Sequence, residues 1–153
     1  MKVCILSVGK RHDALLAGAI QYYQQRVEHQ QSVEWLFVAP SKHQLDEARK
    51  AESAKILTHL KASDMVWLLD ERGEQITSPA LSAKFQTLKA HAVGRLVIII
   101  GGAYGVDDSV RSRADMVWSL SKLVFPHQIV RLLLVEQLYR ASQIEKGTGY
   151  HHA

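Results

Sequence analysis

The 153-residue sequence contains one cysteine, Cys4, and only three prolines. A single thiol excludes an internal disulfide and fits a reducing compartment, so a cytoplasmic location is expected. Cys4 lies within Val3-Cys4-Ile5-Leu6, which reads as a buried strand thiol rather than a nucleophile. Apolar runs such as Leu96–Ile100 fall far short of the ~20 residues of a spanning helix. The opening Met1-Lys2-Val3-Cys4-Ile5-Leu6 is too short an apolar stretch for a signal peptide. No membrane partner is therefore expected. Histidine and cysteine spacings of the H-x₃₋₅-H or C-x₂-C kind are missing, and the adjacent pair His151-His152 does not replace them, so no metal is expected. Neither a dinucleotide G-x-G-x-x-G nor a P-loop G-K-[ST] occurs. Repeats, low-complexity stretches and linkers are missing too, which leaves a single domain over residues 1–153.

What is present describes a globular protein with a basic balance. Hydrophobic residues make up 47% and charged residues 22%, a composition that supports a packed core. The net charge of +4 and pI near 9.3 suit a polyanionic partner, because each neutralised phosphate releases counterions.

Lys2–Val8 reads as a strand ended by Gly9. Asp13 is placed to cap a helix carrying Leu16, Ile20, Tyr23 and Val27 at helical spacing. Val33–Val38 forms a second strand stopped by Pro40. Residues 43–62 are polar with a narrow stripe of Ile56, Leu57 and Leu60, the pattern of a surface helix. Met65–Leu69 is a third strand, and Asp70-Glu71-Arg72-Gly73 reads as a turn. Ser78-Pro79 reads as an N-cap followed by proline in the first turn. Leu96–Ile100 shows no polar alternation, as expected of a strand buried on both faces of a parallel sheet. A short polar helix over Asp107–Arg113 and a fifth strand over Met116–Leu120 follow. The last helix starts at Pro126 and runs to about Glu145. Strands alternating with helices predict an α/β fold with a mainly parallel sheet. In the last helix, Ile129, Val130, Leu132, Leu133, Leu134 and Val135 surround nearly the whole circumference. Such a helix must be covered on every side, either by a second copy of the chain, which is the expectation, or by a monomer's own core.

Three stretches carry candidate chemistry. Ile100-Gly101-Gly102-Ala103-Tyr104-Gly105 follows the buried strand, where ligands of open α/β sheets bind. Its glycines permit close approach of a ligand, or form an ordinary tight turn. Ser119-Leu120-Ser121-Lys122-Leu123-Val124-Phe125-Pro126-His127 links a strand to the apolar helix and can offer backbone groups to a ring. Lastly, His127, Arg131, Glu136 and Arg140 lie on a mostly apolar helix, and Tyr150, His151 and His152 close the chain. Charged groups on a buried helix need a partner or a purpose. For Glu136 and Arg140, at spacing i, i+4, a structural ion pair is an equal alternative.

Taken together these residues resemble the rRNA large subunit methyltransferase H family, the pseudouridine N3-methyltransferases of the SPOUT superfamily. The resemblance is carried by Met1-Lys2-Val3 through Val8-Gly9-Lys10, by Leu68-Leu69-Asp70 with Gly73, and by Ile100-Gly101-Gly102-Ala103-Tyr104-Gly105. It continues through Ser119-Leu120-Ser121-Lys122, Phe125-Pro126-His127-Gln128, Arg131, Glu136-Gln137-Leu138-Tyr139-Arg140-Ala141 and Tyr150-His151, and so spans the whole chain. It implies a single-domain SPOUT α/β knot with a C-terminal trefoil, although true knots are almost absent from proteins. It further implies a homodimer, and S-adenosylmethionine held at Leu69, Gly101, Gly102 and Gly105 and in the loop of Leu120, Ser121, Lys122, Leu123, Val124 and Phe125. The implied substrate is a pseudouridine of 23S rRNA, presented by the assembled 70S ribosome. A chain this short has little surface for reading sequence by itself.

Methylation of N3 displaces a proton. His127 and His151 are candidates to take it, their ordinary pKa lying close to neutral. Arg131 and Arg140 are candidates to stabilise negative charge or hold phosphate, and Tyr150 to stack on the extruded base. Members of the family often end in a basic residue after Tyr-His, whereas this chain ends His152-Ala153. A non-catalytic ribosome-binding factor and a tRNA methyltransferase of the same fold are the alternatives.

Overall fold

The computed structural model describes residues 1–152; Ala153, the last residue of the expected domain, lies outside them. Strands and helices alternate without exception: β1 (Lys2–Val8), α1 (Ala14–Glu28), β2 (Val33–Val38), α2 (Leu45–Thr58), β3 (Met65–Gln75), α3 (Ser78–Ala90), β4 (Arg95–Ile100), α4 (Asp108–Arg113), β5 (Met116–Ser119) and α5 (His127–Lys146). The strands form one parallel sheet in the order β2-β1-β4-β3-β5. The expected α/β architecture is therefore present.

β4 is central, and Leu96–Ile100 is buried along its length, as its unbroken apolar run requires. Alternate strand residues feed two cores. Val3, Ile5, Trp67, Ile98 and Ile100 pack with Ile20, Phe85 and Leu134 beneath α1, α3 and α5. Cys4, Leu6, Leu68, Val97 and Ile99 pack with Ile56 and Val110 beneath α2 and α4. Burying one such aliphatic side chain contributes about 1.5–3 kcal/mol.

The helix starts follow capping chemistry. Asp13 caps α1, accepting from the Leu15 N–H at 2.8 Å, and Asp107 caps α4. For α3 the cap is Thr77, one residue before the expected Ser78; its Oγ1 accepts from the Ala80 N–H at 3.2 Å. The Ser78 hydroxyl instead donates to Gln137 Oε1 on α5 at 2.7 Å. Pro126 is the N-cap of α5 rather than its first helical residue. Helix α2 covers 45–58 of the polar stretch 43–62, starting at Leu45, whose φ is 51°, and ending at the C-cap His59.

The largest departure is in β3. The expected turn Asp70–Gly73 is an excursion inside a longer strand. β5 pairs with Trp67–Leu69, and β3 then rejoins it at Glu74 and Gln75, with the register shifting between Leu69 and Glu74. Gly73 permits this, since a Cβ there would lie 2.6 Å from the Val117 carbonyl oxygen. Turn chemistry is real at Asp70, whose Oδ1 accepts from the Arg72 N–H at 2.9 Å, but the ladder resumes beyond it.

Along α5, Arg131, Leu134, Val135, Leu138, Ala141 and Ser142 are buried. Ile129, Leu132 and Leu133 are only half-buried, so the chain alone leaves part of its most apolar helix uncovered. Among the described residues no helix is long and apolar enough to cross a membrane.

Candidate cofactor-binding and active site

Parallel strands direct all their C-terminal tips to one side of the sheet, and the tips of β4, β3 and β5 are neighbours there. A cleft of about 350 Å³ opens at this edge, within the range of roughly 300–1,000 Å³ typical of small-ligand sites. Leu69, Gly101, Gly102, Gly105, Leu120, Ser121, Leu123, Val124 and Phe125 all line it, with His127 at the start of α5. Lys122 alone among the expected cofactor contacts is not part of the lining. Leu68, Asp70, Glu71, Arg72, Ile100, Ala103, Tyr104, Val106 and Val130 complete the wall.

Each wall is held by specific bonds. In the loop after β5, the Ser119 hydroxyl donates to the Ser121 carbonyl at 2.9 Å, and the Leu123 N–H donates to Ser121 Oγ at 3.0 Å. This folding leaves Leu123 and Val124 71% and 81% exposed, an uncovered apolar lip. The glycine loop is supported from α2. Arg49 Nε donates to the Tyr104 carbonyl at 3.0 Å, and Ser53 Oγ accepts from the Asp107 N–H at 2.9 Å. The glycines serve this packing first. A Cβ at Gly102 would lie 2.2 Å from Glu52 Oε2, and one at Gly101 3.1 Å from Val106 Cγ1. Gly105 has φ +74° with open space around it, a conformation that favours glycine. The third wall centres on Asp70, which pairs with Arg72 at 3.2 Å and with Arg111 of α4. Burial alone would raise the Asp70 pKa, but hydrogen bonds from Arg72 and the Arg111 charge outweigh it and hold the carboxyl below its usual range.

Geometry and ancestry point the same way. Residues 1–151 match a family model described as predicted SPOUT methyltransferase. The chain belongs to the SPOUT methyltransferase family. It is similar over its whole length to proteins named ribosomal RNA large subunit methyltransferase H. The relative from Geobacter metallireducens is 43% identical, with 100% of both chains covered. Those from Cytophaga hutchinsonii and Bifidobacterium adolescentis are 39% and 35% identical, covering 99% of this chain and 100% and 99% of theirs.

Within this SPOUT chain the expected catalytic residues fall into three places. His127 faces the cleft. Burial, then the Arg131 charge, lower its pKa, while the Gly101 backbone and Glu52 act in the opposite direction. The net effect favours a neutral ring at pH 7. Arg131 lies behind the cleft at the tip of β1 and is 1% exposed. Its Nε donates to Ser7 Oγ at 3.1 Å and its Nη1 to the Lys10 carbonyl at 2.8 Å. A Cβ at Gly9 would lie 2.9 Å from its Nη2, so in one chain Arg131 fastens the β1–α1 loop.

Arg140 and Tyr150 meet toward the far end of α5, and His151 follows Tyr150 in the chain. Glu136 Oε1 accepts from Arg140 Nε at 3.0 Å, and the Tyr150 hydroxyl donates to it at 3.2 Å. The Arg140 guanidinium also lies 4.8 Å over the Tyr150 ring, so the ion pair between Glu136 and Arg140 and a site for Tyr150 coexist. Burial, with the Tyr23 and Glu136 interactions, pushes the Tyr150 phenol well above its usual pKa. Helical rise of ~1.5 Å per residue separates Arg140 from His127 by roughly 20 Å along α5, so one chain does not bring this group to its own cleft. Tyr104, Asp70 and Glu52 were not singled out as site residues. Asp70 and Tyr104 belong to the stretches that carry the family resemblance but have no site role there, whereas Glu52 gives no signal on a polar helix.

Proposed function

We propose that this chain transfers a methyl group from S-adenosylmethionine to N3 of a pseudouridine in 23S rRNA, acting on the assembled 70S ribosome as a cytoplasmic homodimer. The observation that carries this reading is the convergence of Leu69, Gly101–Gly105 and Leu120–Phe125 on one cleft, in a chain whose full-length relatives bear the large-subunit rRNA methyltransferase name. A trefoil knot involving the loop after β5 belongs to the same reading.

The residues fit the donor. Leu69, Ile100, Leu120 and Phe125 offer apolar walls to an adenine ring, and Glu71 offers a carboxylate to a cation beside Asp70, which Arg72 and Arg111 hold. When bound, S-adenosylmethionine supplies an electrophilic methyl group on a sulfonium. The chain's part is to hold the target base in line, exclude water and accept the N3 proton. A neutral His127 at the cleft wall suits that last role, the proton passing to a ring nitrogen as the new N–CH₃ bond forms. His151 is the second candidate base, and Lys122, exposed at the rim, is available to phosphate.

Two copies solve the separation along α5. A second chain laid against α5 and α1 covers Leu132, Leu133, Leu15 (92% exposed) and Tyr22, and delivers Arg140, Tyr150 and His151 to its neighbour's cleft. The net charge of +4 favours approach to a ribosomal surface, which supplies the sequence selection a small chain lacks. Incubation with methyl-labelled S-adenosylmethionine and either 70S ribosomes, free 50S subunits or naked 23S rRNA tests this. Label on a 23S pseudouridine in the 70S sample supports the proposal; label confined to tRNA, or none, refutes it. Mixing His127→Ala and Tyr150→Ala chains after partial unfolding tests the shared site. Random reassembly restores about a quarter of the native sites if each cleft draws on both copies, and none if each chain is self-sufficient.

A further inference from the structure

Behind the glycine loop lies a buried carboxyl group that plays no part in the proposed methyl transfer. Glu52 of α2 is 4% exposed. Its Oε1 accepts from the Ser41 N–H at 2.9 Å, while Oε2 is buried without a hydrogen-bond partner. Burying a carboxylate costs several kcal/mol unless it is paired, and no cation forms an ion pair with this one among the described residues. The carboxylate presses on the loop itself, since a Cβ at Gly102 would lie 2.2 Å from Oε2 and 3.1 Å from Cδ. Its helix neighbours Arg49 and Ser53 bind the same loop at Tyr104 and Asp107.

We propose that Glu52 is a positioning residue of the cleft: a buried negative charge that fixes the Gly101–Gly102 backbone from behind and sets the field at His127 and at a cationic methyl donor. The part concerning the donor rests on the proposed function; the part concerning His127 does not. Charged groups act on His127 from several elements. Arg131 opposes its protonation from α5 and Glu52 favours it from α2, with the Gly101 backbone acting alongside Glu52. Across the cleft Asp70, Glu71 and Arg72 stand on β3, with Asp70 already engaged by Arg72 and Arg111. Glu52 is thus the one buried carboxylate set against Arg131 at this wall among the described residues.

The discriminating variant is Glu52→Gln, which keeps the size and the acceptor for the Ser41 N–H but removes the charge. In ligand-free protein, the His127 titration followed by NMR moves to lower pH than in the native chain. The affinity for S-adenosylmethionine, measured by calorimetry, falls about five-fold. A purely structural glutamate tolerates this exchange, so an unchanged His127 titration overturns the proposal. Glu52→Asp provides a second route should the Gln variant not fold. With the charge drawn back by one methylene, amide exchange at Gly102 and Ala103 speeds up and the His127 titration moves the same way by less. No change in either also overturns it. Failure of the native chain to bind S-adenosylmethionine would remove the proposed cofactor, while the ligand-free titration would still decide the role of Glu52.

Discussion

Replacing Gly73 by alanine tests whether the cleft depends on the close approach of β3 and β5. A Cβ at this position would lie 2.6 Å from the Val117 carbonyl oxygen, 2.7 Å from its carbon and 2.9 Å from the Trp118 carbonyl carbon. All three are backbone atoms of the neighbouring strand, so no side chain can swing aside. Favourable non-bonded contact begins near ~3.5 Å, which requires the strands to part by roughly 0.9 Å. The part of the ladder that suffers is Glu74↔Trp118 and Gln75↔Ser119, the pairs made after the excursion. Overpacking costs about 1–3 kcal/mol and a lost ladder hydrogen bond about 1 kcal/mol, so a loss of about 3 kcal/mol is expected. For a chain of this length that lowers Tm by roughly 6–12 °C. Since Leu69–Arg72 of β3 and Leu120, immediately after β5, border the cleft, binding of S-adenosylmethionine weakens as well. Gly94 has no neighbour within 4 Å of an added Cβ and no positive φ, so Gly94→Ala is the control. Urea denaturation of the three proteins reads the effect. A Gly73→Ala chain within 0.5 kcal/mol of the native one, against the ~3 kcal/mol expected, refutes the reasoning.

Other outcomes follow from the same structure. Cys4 is fully buried, and that burial, against the hydrogen bond from Arg95, raises its thiol pKa; it should resist alkylation in native protein and react only on unfolding, and rapid labelling at neutral pH would contradict this. Asp70 has a folded pKa below its unfolded one despite its burial, because Arg72 and Arg111 pair with it. Its contribution to stability is therefore complete above the ordinary carboxylate range and is lost as pH falls through the lower folded value. Asp70→Asn should reduce stability at pH 7 and flatten the acid limb of a stability–pH curve; an unaltered limb would exclude the pairing. His127 has a folded pKa below the usual histidine value, chiefly through burial, so methyl transfer that depends on its neutral ring should be flat around pH 7 and fall only on acidification. Glu52→Gln should move that fall to lower pH, and a fall centred above the ordinary value of ~6.5 would count against His127 as the base.

The sheet was largely legible from the sequence because its strands are so apolar. Leu96–Ile100 carries no polar residue and can only lie at the centre, and Val33–Val38 and Lys2–Val8 are bounded by clear turn or breaker residues. Asp70–Gly73 misled because a local turn signal was genuine, whereas resumption of β3 is decided by pairing with β5 across the excursion. The cleft was legible through Gly101–Gly105 and Leu120–Phe125, which sit at strand tips and carry the family's motif. The meaning of the glycines was not. Their lack of a Cβ accommodates Val106 and Glu52, a tertiary fact that spacing does not encode. Glu52 was invisible for the same reason, being one acidic residue on a charged helix whose burial depends on the loop it meets. The distance of Arg140 and Tyr150 from the cleft follows from the length of α5, which the sequence gives only as a helix span.

One binding event at the tips of β4, β3 and β5 decides the role of the cleft. Calorimetric titration of S-adenosylmethionine into the purified native chain, repeated with Leu69→Arg to fill the cleft, measures it most directly. One molecule bound per chain, with binding abolished by the substitution while the fold is retained, is the predicted result. No binding to the native chain, or equal binding to both proteins, would contradict the assignment of this cleft.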